Sequence, residues 1–348
     1  MLKDSKYLFA YLAPLSVFIA LHFGGIWSFT TVVLTFVLIP IGEFFTSNSE
    51  KNLRPEEESK KVNSRFFDLL LYLNVPILFG LLWLYFSRLQ NGGLATFELV
   101  GMTFSAGIII GTIGINVAHE LGHRLRWYER LMSKILLMTA LYMHFFIEHN
   151  RGHHKQVATE KDPASARFGE PLYAFWFRSV STGYINAWRL EKKRLNRLGL
   201  SALNWKNQMI WFQLIQTAYL LSIGLFFGWA IMLFGIAAAG IGILLLESVN
   251  YIEHYGLRRK KLPSGRYEKA TPRHSWNSNH ELGRIFLYEL TRHSDHHFKA
   301  SRKYPVLRHL EESPQLPIGY PGSVLLSLAP PLWFRVMNKR VQGVSENS

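Results

Sequence analysis

The chain has 348 residues, 49% of them hydrophobic, and a formal charge of +15. It contains no cysteine, which excludes disulfides, a thiolate nucleophile and any Cys-ligated zinc or iron–sulfur site on this chain. A metal would have to be held by nitrogen or oxygen, and most of the 14 histidines sit in a few short runs.

Along the chain the apolar residues are clumped rather than periodic. Residues 8–25 form an uncharged apolar run, and 27–45 a second with Glu43 near its end. Residues 66–86, 94–118, 210–228 and 229–249 form four more. Each is about the length of a helix that crosses a hydrocarbon core of roughly 30 Å. Pro14, Pro40 and Pro76 fall inside these runs, which packed membrane helices tolerate. No signal-peptide cleavage pattern precedes the first run. Residues 131–147 are apolar but short, and read as a re-entrant or interfacial helix. Residues 320–334, with Pro330–Pro331, read as a segment lying on the cap or the membrane surface. The expected organisation is one membrane domain over 1–340 and a flexible tail over 341–348. The fold class is all-α: a six-transmembrane-helix bundle with a histidine-rich cytoplasmic cap.

The connectors give an orientation. Those after the first, third and fifth runs carry almost no Lys or Arg. The others carry Lys51, Arg54, Lys60, Lys61 and Arg65, and the basic stretch Arg189 to Arg197. Basic residues stay on the cytoplasmic side, so both termini are expected there. Topology thus accounts for most of the positive charge, and no nucleic-acid partner is expected.

Four segments then stand out. His119-Glu120-Leu121-Gly122-His123 closes the fourth run, and its i, i+4 spacing puts both imidazoles on one helix face. Glu148-His149-Asn150-Arg151-Gly152-His153-His154 repeats the four-residue spacing. Asn250-Tyr251-Ile252-Glu253-His254-Tyr255-Gly256 closes the sixth run, and Arg292-His293-Ser294-Asp295-His296-His297 follows. The predicted topology brings all four to one face. Ionisable residues near membrane depth are costly and tend to be functional, so the convergence reads as a metal cage. One first-row ion takes about four to six ligands, so nine imidazoles suit two ions. Imidazole suits iron, zinc, copper and nickel, and does not name the metal. Glu120, Glu148, Glu253 and Asp295 adjoin these histidines and are expected to orient ligating imidazoles through their second N–H. Asp162 and Glu281 are weaker candidates for the same role. His144, His274 and His280 read as hydrogen-bonding residues, and His22 and His309 as outside the site.

These motifs, in this order among six spans, resemble the membrane alkane 1-monooxygenases of the histidine-rich fatty acid desaturase and hydroxylase superfamily. The stretch Pro272 to His297, including His274-Ser275-Trp276-Asn277-Ser278-Asn279-His280, and Val157-Ala158-Thr159 followed by Asp162-Pro163-Ala164, strengthen the likeness, which spans about residues 5–340. The resemblance implies two irons held by His119, His123, His149, His153, His154, His254, His293, His296 and His297, with O2 as co-substrate and no haem or flavin on this chain. It implies terminal hydroxylation of n-alkanes to 1-alkanols. Electrons would come from a separate rubredoxin and its NADH-dependent reductase, since this chain carries no fused Cys pairs. The location implied is a bacterial inner membrane, with the metal site cytoplasmic. An alkane has no polar handle, so recognition needs a long apolar channel. Thr35, Phe36, Ile39, Ile108, Ile109 and Thr112 are candidate walls, ordinary helix packing being the alternative for each.

The nearest rival is a hydroxylase or desaturase of the same superfamily acting on alkyl-aromatic or acyl-lipid substrates. An intramembrane zinc protease using Glu120 as general base would leave seven clustered histidines unexplained. A metal transporter would place its ligands near the bilayer middle, accessible from both faces.

Overall fold

The computed structural model of the protein describes residues 4–46 and 48–346. Among these the regular structure is helical, and β pairing is limited to isolated bridges. Six helices are long and apolar enough to cross a membrane: Ser5–Phe23, Gly25–Phe45, Arg65–Gln90, Thr96–Gly122, Gln208–Phe227 and Trp229–His254. They coincide with the six apolar runs, and are called the first to sixth spans below. The chain forms two compact units interleaved along the sequence. One comprises Met1–Leu38, Arg65–Asn150 and Tyr184–Leu246; the other comprises Ile39–Ser64, Arg151–Gly183 and Glu247–Ser348.

In the first unit the first span packs on the third and fourth. The fourth and sixth meet through small residues. A Cβ at Gly107 would lie 2.5 Å from the Ile241 side chain, and one at Gly242 would lie 2.8 Å from Ile110. Small residues let membrane helices approach closely where burial of apolar surface gives no drive for association. Buried hydroxyls are satisfied within the bundle: Tyr85 Oη pairs with Thr103 Oγ1 at 2.9 Å, and Ser105 Oγ donates to the Ser28 carbonyl at 2.9 Å. At the start of the fourth span Glu98 accepts from Ala95 N at 2.8 Å, the carboxylate half of a capping box, and from Gly25 N at 2.6 Å.

The stretch expected as one helix over 131–147 is broken. A helix runs Trp127–Thr139 and a short one Phe145–Glu148. Leu141 between them takes φ 54°, a left-handed residue that ends the first helix. The freed Met143 N donates to Gln216 Oε1 at 2.8 Å. The basic stretch expected as a connector around residues 189–197 is mostly the last turns of a 25-residue helix, Leu172–Asn196.

Among the described residues three π-helical turns interrupt the helices: Leu34–Leu38 in the second span, Ile110–Asn116 in the fourth, and His149–His153. A π turn inserts an extra residue per turn and re-aims the side chains after it.

In the second unit, Arg292 and Arg284 hold the histidine-rich segment to the loop after the second span. Arg292 donates to the carbonyls of Leu307, Ser49 and Lys51 at 2.8, 3.0 and 3.1 Å, and Arg284 to Ser49 at 3.1 Å. The segment 320–334 is two helices, Tyr320–Ser327 and Pro330–Glu346, split where prolines start the second. That second helix buries Trp333 against the rings of Tyr251 and Tyr255. It continues through buried Val341 to Glu346, so the segment expected as a tail begins as ordered helix. Residues 347 and 348 lie outside the described residues.

Candidate metal centre

In the first unit the fourth span delivers His119 and His123 one turn apart, with ring centroids 5.1 Å apart. The chain after the Leu141 break returns His149 to them. Its Nε2 lies 3.1 Å from His123 Nε2, and its ring centroid 4.3 Å from that of His119. Glu120, between the two span histidines, is clamped by Arg124 at 2.7 Å, and Arg124 also reaches Asp68 at 3.3 Å.

In the second unit His153, His254, His293 and His297 present nitrogens that all lie within 4.8 Å of one another. His153 Nε2 is 3.1 Å from His297 Nε2, which is 3.0 Å from His293 Nε2. In the same unit His154 and His296 face each other, Nε2 to Nε2 at 3.1 Å. Ligand atoms roughly 2.1 Å from one first-row ion, at tetrahedral to octahedral angles, sit roughly 3.0–3.4 Å apart. The observed nitrogen spacings match the edge lengths of such a polyhedron.

The far nitrogens are tied down. Asp162 Oδ2 lies 2.9 Å from His153 Nδ1, and Asp162 also takes Ser165 Oγ at 2.5 Å and Ala164 N at 3.2 Å. His254 Nδ1 faces the His274 carbonyl at 3.3 Å. Each contact fixes the N–H on Nδ1 and leaves the Nε2 lone pair facing the cluster. His254 Nε2 is buried with no hydrogen-bond partner. Burial, reinforced by the neighbouring imidazoles, holds His297 well below the ordinary histidine range. Neutral, buried imidazoles with converging lone pairs are what a metal requires, and the donor set fits a first-row ion.

All nine sequence-predicted histidines thus lie in imidazole clusters, but the sorting follows the backbone. His149 and His153, four residues apart, join different neighbours across the π turn His149–His153. Likewise His293 and His297 share a set while His296 meets His154.

The four carboxylates divide. Glu253 Oε2 lies 3.2 Å from His293 Nε2, and Tyr320 Oη donates to Glu253 Oε1 at 3.0 Å. Glu148 accepts from Asn186 at 3.1 Å. Asp295 faces away from the imidazoles: it accepts from Arg308 N and Nη2 at 2.9 and 2.8 Å, and pairs with Arg302 Nε at 3.4 Å. Its neighbours in sequence point one way along the short helix and it points the other. Tyr320 carried no signal in the sequence, being 67 positions from its partner.

His274 and His280 are hydrogen-bonded as expected, to Thr271 N at 2.9 Å and to Ser278 Oγ at 2.9 Å. His144 differs: its Nε2 is buried without a hydrogen-bond partner, and its ring packs against Tyr142 and Tyr184. Of the candidate channel residues, Ile39, Ile108 and Ile109 are buried, and Thr35, Phe36 and Thr112 half-buried. Thr35 and Phe36 sit on one π turn and Thr112 on another, with its hydroxyl donating to the Ile108 carbonyl at 2.9 Å.

The chain is similar to known proteins over most of its length. The family described as fatty acid desaturase matches residues 95–321. Alkane 1-monooxygenase 2 of Pseudomonas aeruginosa is 41% identical over 91% of this chain and 84% of its own length. Alkane 1-monooxygenase 2 of Alcanivorax borkumensis is 37% identical over 99% of this chain and 93% of its own length. The xylene/toluene monooxygenase hydroxylase component of Pseudomonas putida is 28% identical, over 92% and 84%.

Proposed function

The chain belongs to the fatty acid desaturase family and, within it, to the alkane 1-monooxygenases, and from that premise we propose that this multi-pass membrane oxidoreductase hydroxylates the terminal methyl of n-alkanes. The single observation that carries the reading is the converging Nε2 cage, in a chain 41% identical to an alkane 1-monooxygenase.

The nine histidines would hold two iron ions, with His153, His254, His293 and His297 as one set. Bound there, the irons would supply reduction of O2 and insertion of one oxygen atom into a C–H bond. The balance is alkane, O2, two electrons and two protons going to 1-alkanol and water. The chain's own part is positional. Asp162 and the His274 carbonyl keep protons on Nδ1 of His153 and His254, so these rings always offer Nε2. Burial of the cluster excludes water that would otherwise compete for the ligand atoms. Thr35, Phe36, Ile39, Ile108, Ile109 and Thr112 are proposed as channel walls, which would bind a chain by shape alone and stop its methyl near the irons. Electrons would arrive from a separate rubredoxin and its NADH-dependent reductase, at the cytoplasmic side of an inner membrane.

The likeness to the xylene/toluene component supports a second reading, attack on an aromatic methyl group. The test is product analysis with the purified protein, rubredoxin, reductase and NADH on n-octane, n-hexadecane and p-xylene. Primary alkanols formed faster than the benzylic alcohol are expected. Benzylic alcohol as the dominant product would transfer the assignment to the second reading.

A further inference from the structure

Two carboxylates touch imidazoles of the four-histidine set, and they touch opposite kinds of nitrogen. Asp162 meets Nδ1 of His153, the nitrogen turned away from the cluster, while Nε2 of the same ring points inward at 3.1 Å from His297 Nε2. That is the position of an outer carboxylate, which orients a ligand without touching the metal. Glu253 meets Nε2 of His293 at 3.2 Å, and that same Nε2 lies 3.0 Å from His297 Nε2. It is the inward nitrogen. An oxygen there lies 3.2 Å from that nitrogen, the spacing of neighbouring ligands around one ion.

The rest of Glu253 is arranged for this. The residue is 1% exposed, and its other oxygen accepts from Tyr320 Oη at 3.0 Å. Its backbone carbonyl accepts from Trp276 N at 2.8 Å and from Ser275 Oγ at 3.3 Å. One carboxylate oxygen is therefore held by a phenol, the backbone carbonyl is held by two donors, and the remaining oxygen lies against the inward nitrogen of His293.

The geometry assigns Glu253 as an oxygen ligand of the metal ion held by His153, His254, His293 and His297, with Tyr320 as the residue that positions it. This rests on the metal reading of the site. It separates Glu253 from Asp162, which acts only through His153, and makes the set four nitrogens and one oxygen.

The test uses the full-length protein in detergent, reconstituted with 57Fe(II) at saturating iron. Mössbauer spectra are compared for wild type, Glu253→Gln, Asp162→Asn and Tyr320→Phe. Glu253→Gln is expected either to shift one of the ferrous doublets or to lose it, the iron content then falling from two toward one per chain. Asp162→Asn, which leaves Glu253 untouched, is expected to retain both doublets, and Tyr320→Phe, which removes the phenol that positions Glu253, to shift one of them without loss of iron. Both doublets unchanged in Glu253→Gln would overturn the assignment. Should that variant fail to fold, wild type with 13C-labelled glutamate carboxylates decides the point, because Asp162 stays unlabelled. Iron-minus-apo infrared difference spectra should show a labelled carboxylate band moving on iron binding, and silent glutamate bands would overturn the proposal. Uptake of two irons with silent glutamate bands sinks only the role of Glu253, whereas no iron uptake by wild type sinks the metal reading itself.

Discussion

Asp162 and His144 are both deeply buried, and their partners give them opposite consequences. Asp162 has an imidazole, a hydroxyl and a backbone N–H around its oxygens, so its charge is compensated and its removal acts through His153. Asp162→Asn should weaken ferrous iron binding by about 10–100-fold, the usual cost of losing an orienting carboxylate. Titration of the apo-protein with Fe(II) checks this, and unchanged affinity would contradict it. His144 has no such support, and burial alone pushes it down to about 4 from the ordinary 6.5. As pH falls through 6.5 the unfolded chain takes up a proton that the folded protein refuses. Stability is therefore lost between about 6.5 and 4, by roughly 3 kcal/mol in full. In His144→Phe the melting temperature should fall less steeply across that range than in wild type. Parallel slopes would show that His144 titrates normally.

At the scale of elements, spans were legible because a membrane helix must be both long and apolar, and few other structures are. The histidine clusters were legible because nine imidazoles recur at short spacings in four runs that the spans bring to one face. What stayed hidden was set by backbone detail. The π turn at His149–His153 sends two histidines at helical spacing to different neighbours. The left-handed Leu141 breaks an apolar stretch that composition makes continuous. Asp295 sits among three clustered histidines yet belongs to Arg308 and Arg302, because a short helix points adjacent residues in different directions. The close approach of the fourth and sixth spans is a further consequence of local sequence. Gly107→Val would place atoms where Ile241 already lies, 2.5 Å from the first added carbon. Overpacking of this kind costs about 1–3 kcal/mol, so the melting temperature in detergent should drop by several degrees. Gly240→Ala, where nothing lies within 4 Å of the added carbon, is the control expected to be neutral.

For the whole molecule, the net charge is +15, and a basic surface would suit an acidic electron carrier. If rubredoxin is that carrier, long-range attraction should speed its encounter, and salt should screen it within a Debye length of about 8 Å at physiological ionic strength. The rate of electron delivery under limiting rubredoxin should therefore fall as salt rises from low to physiological levels. A salt-independent rate would remove the electrostatic role of that surface.

The most direct test of the central claim is 18O2 labelling with the purified protein turning over n-octane under rubredoxin, reductase and NADH. A histidine-caged di-iron monooxygenase should yield 1-octanol carrying one 18O atom, the other leaving as labelled water. Unlabelled alcohol, or an alkene with no oxygen inserted, would contradict the account.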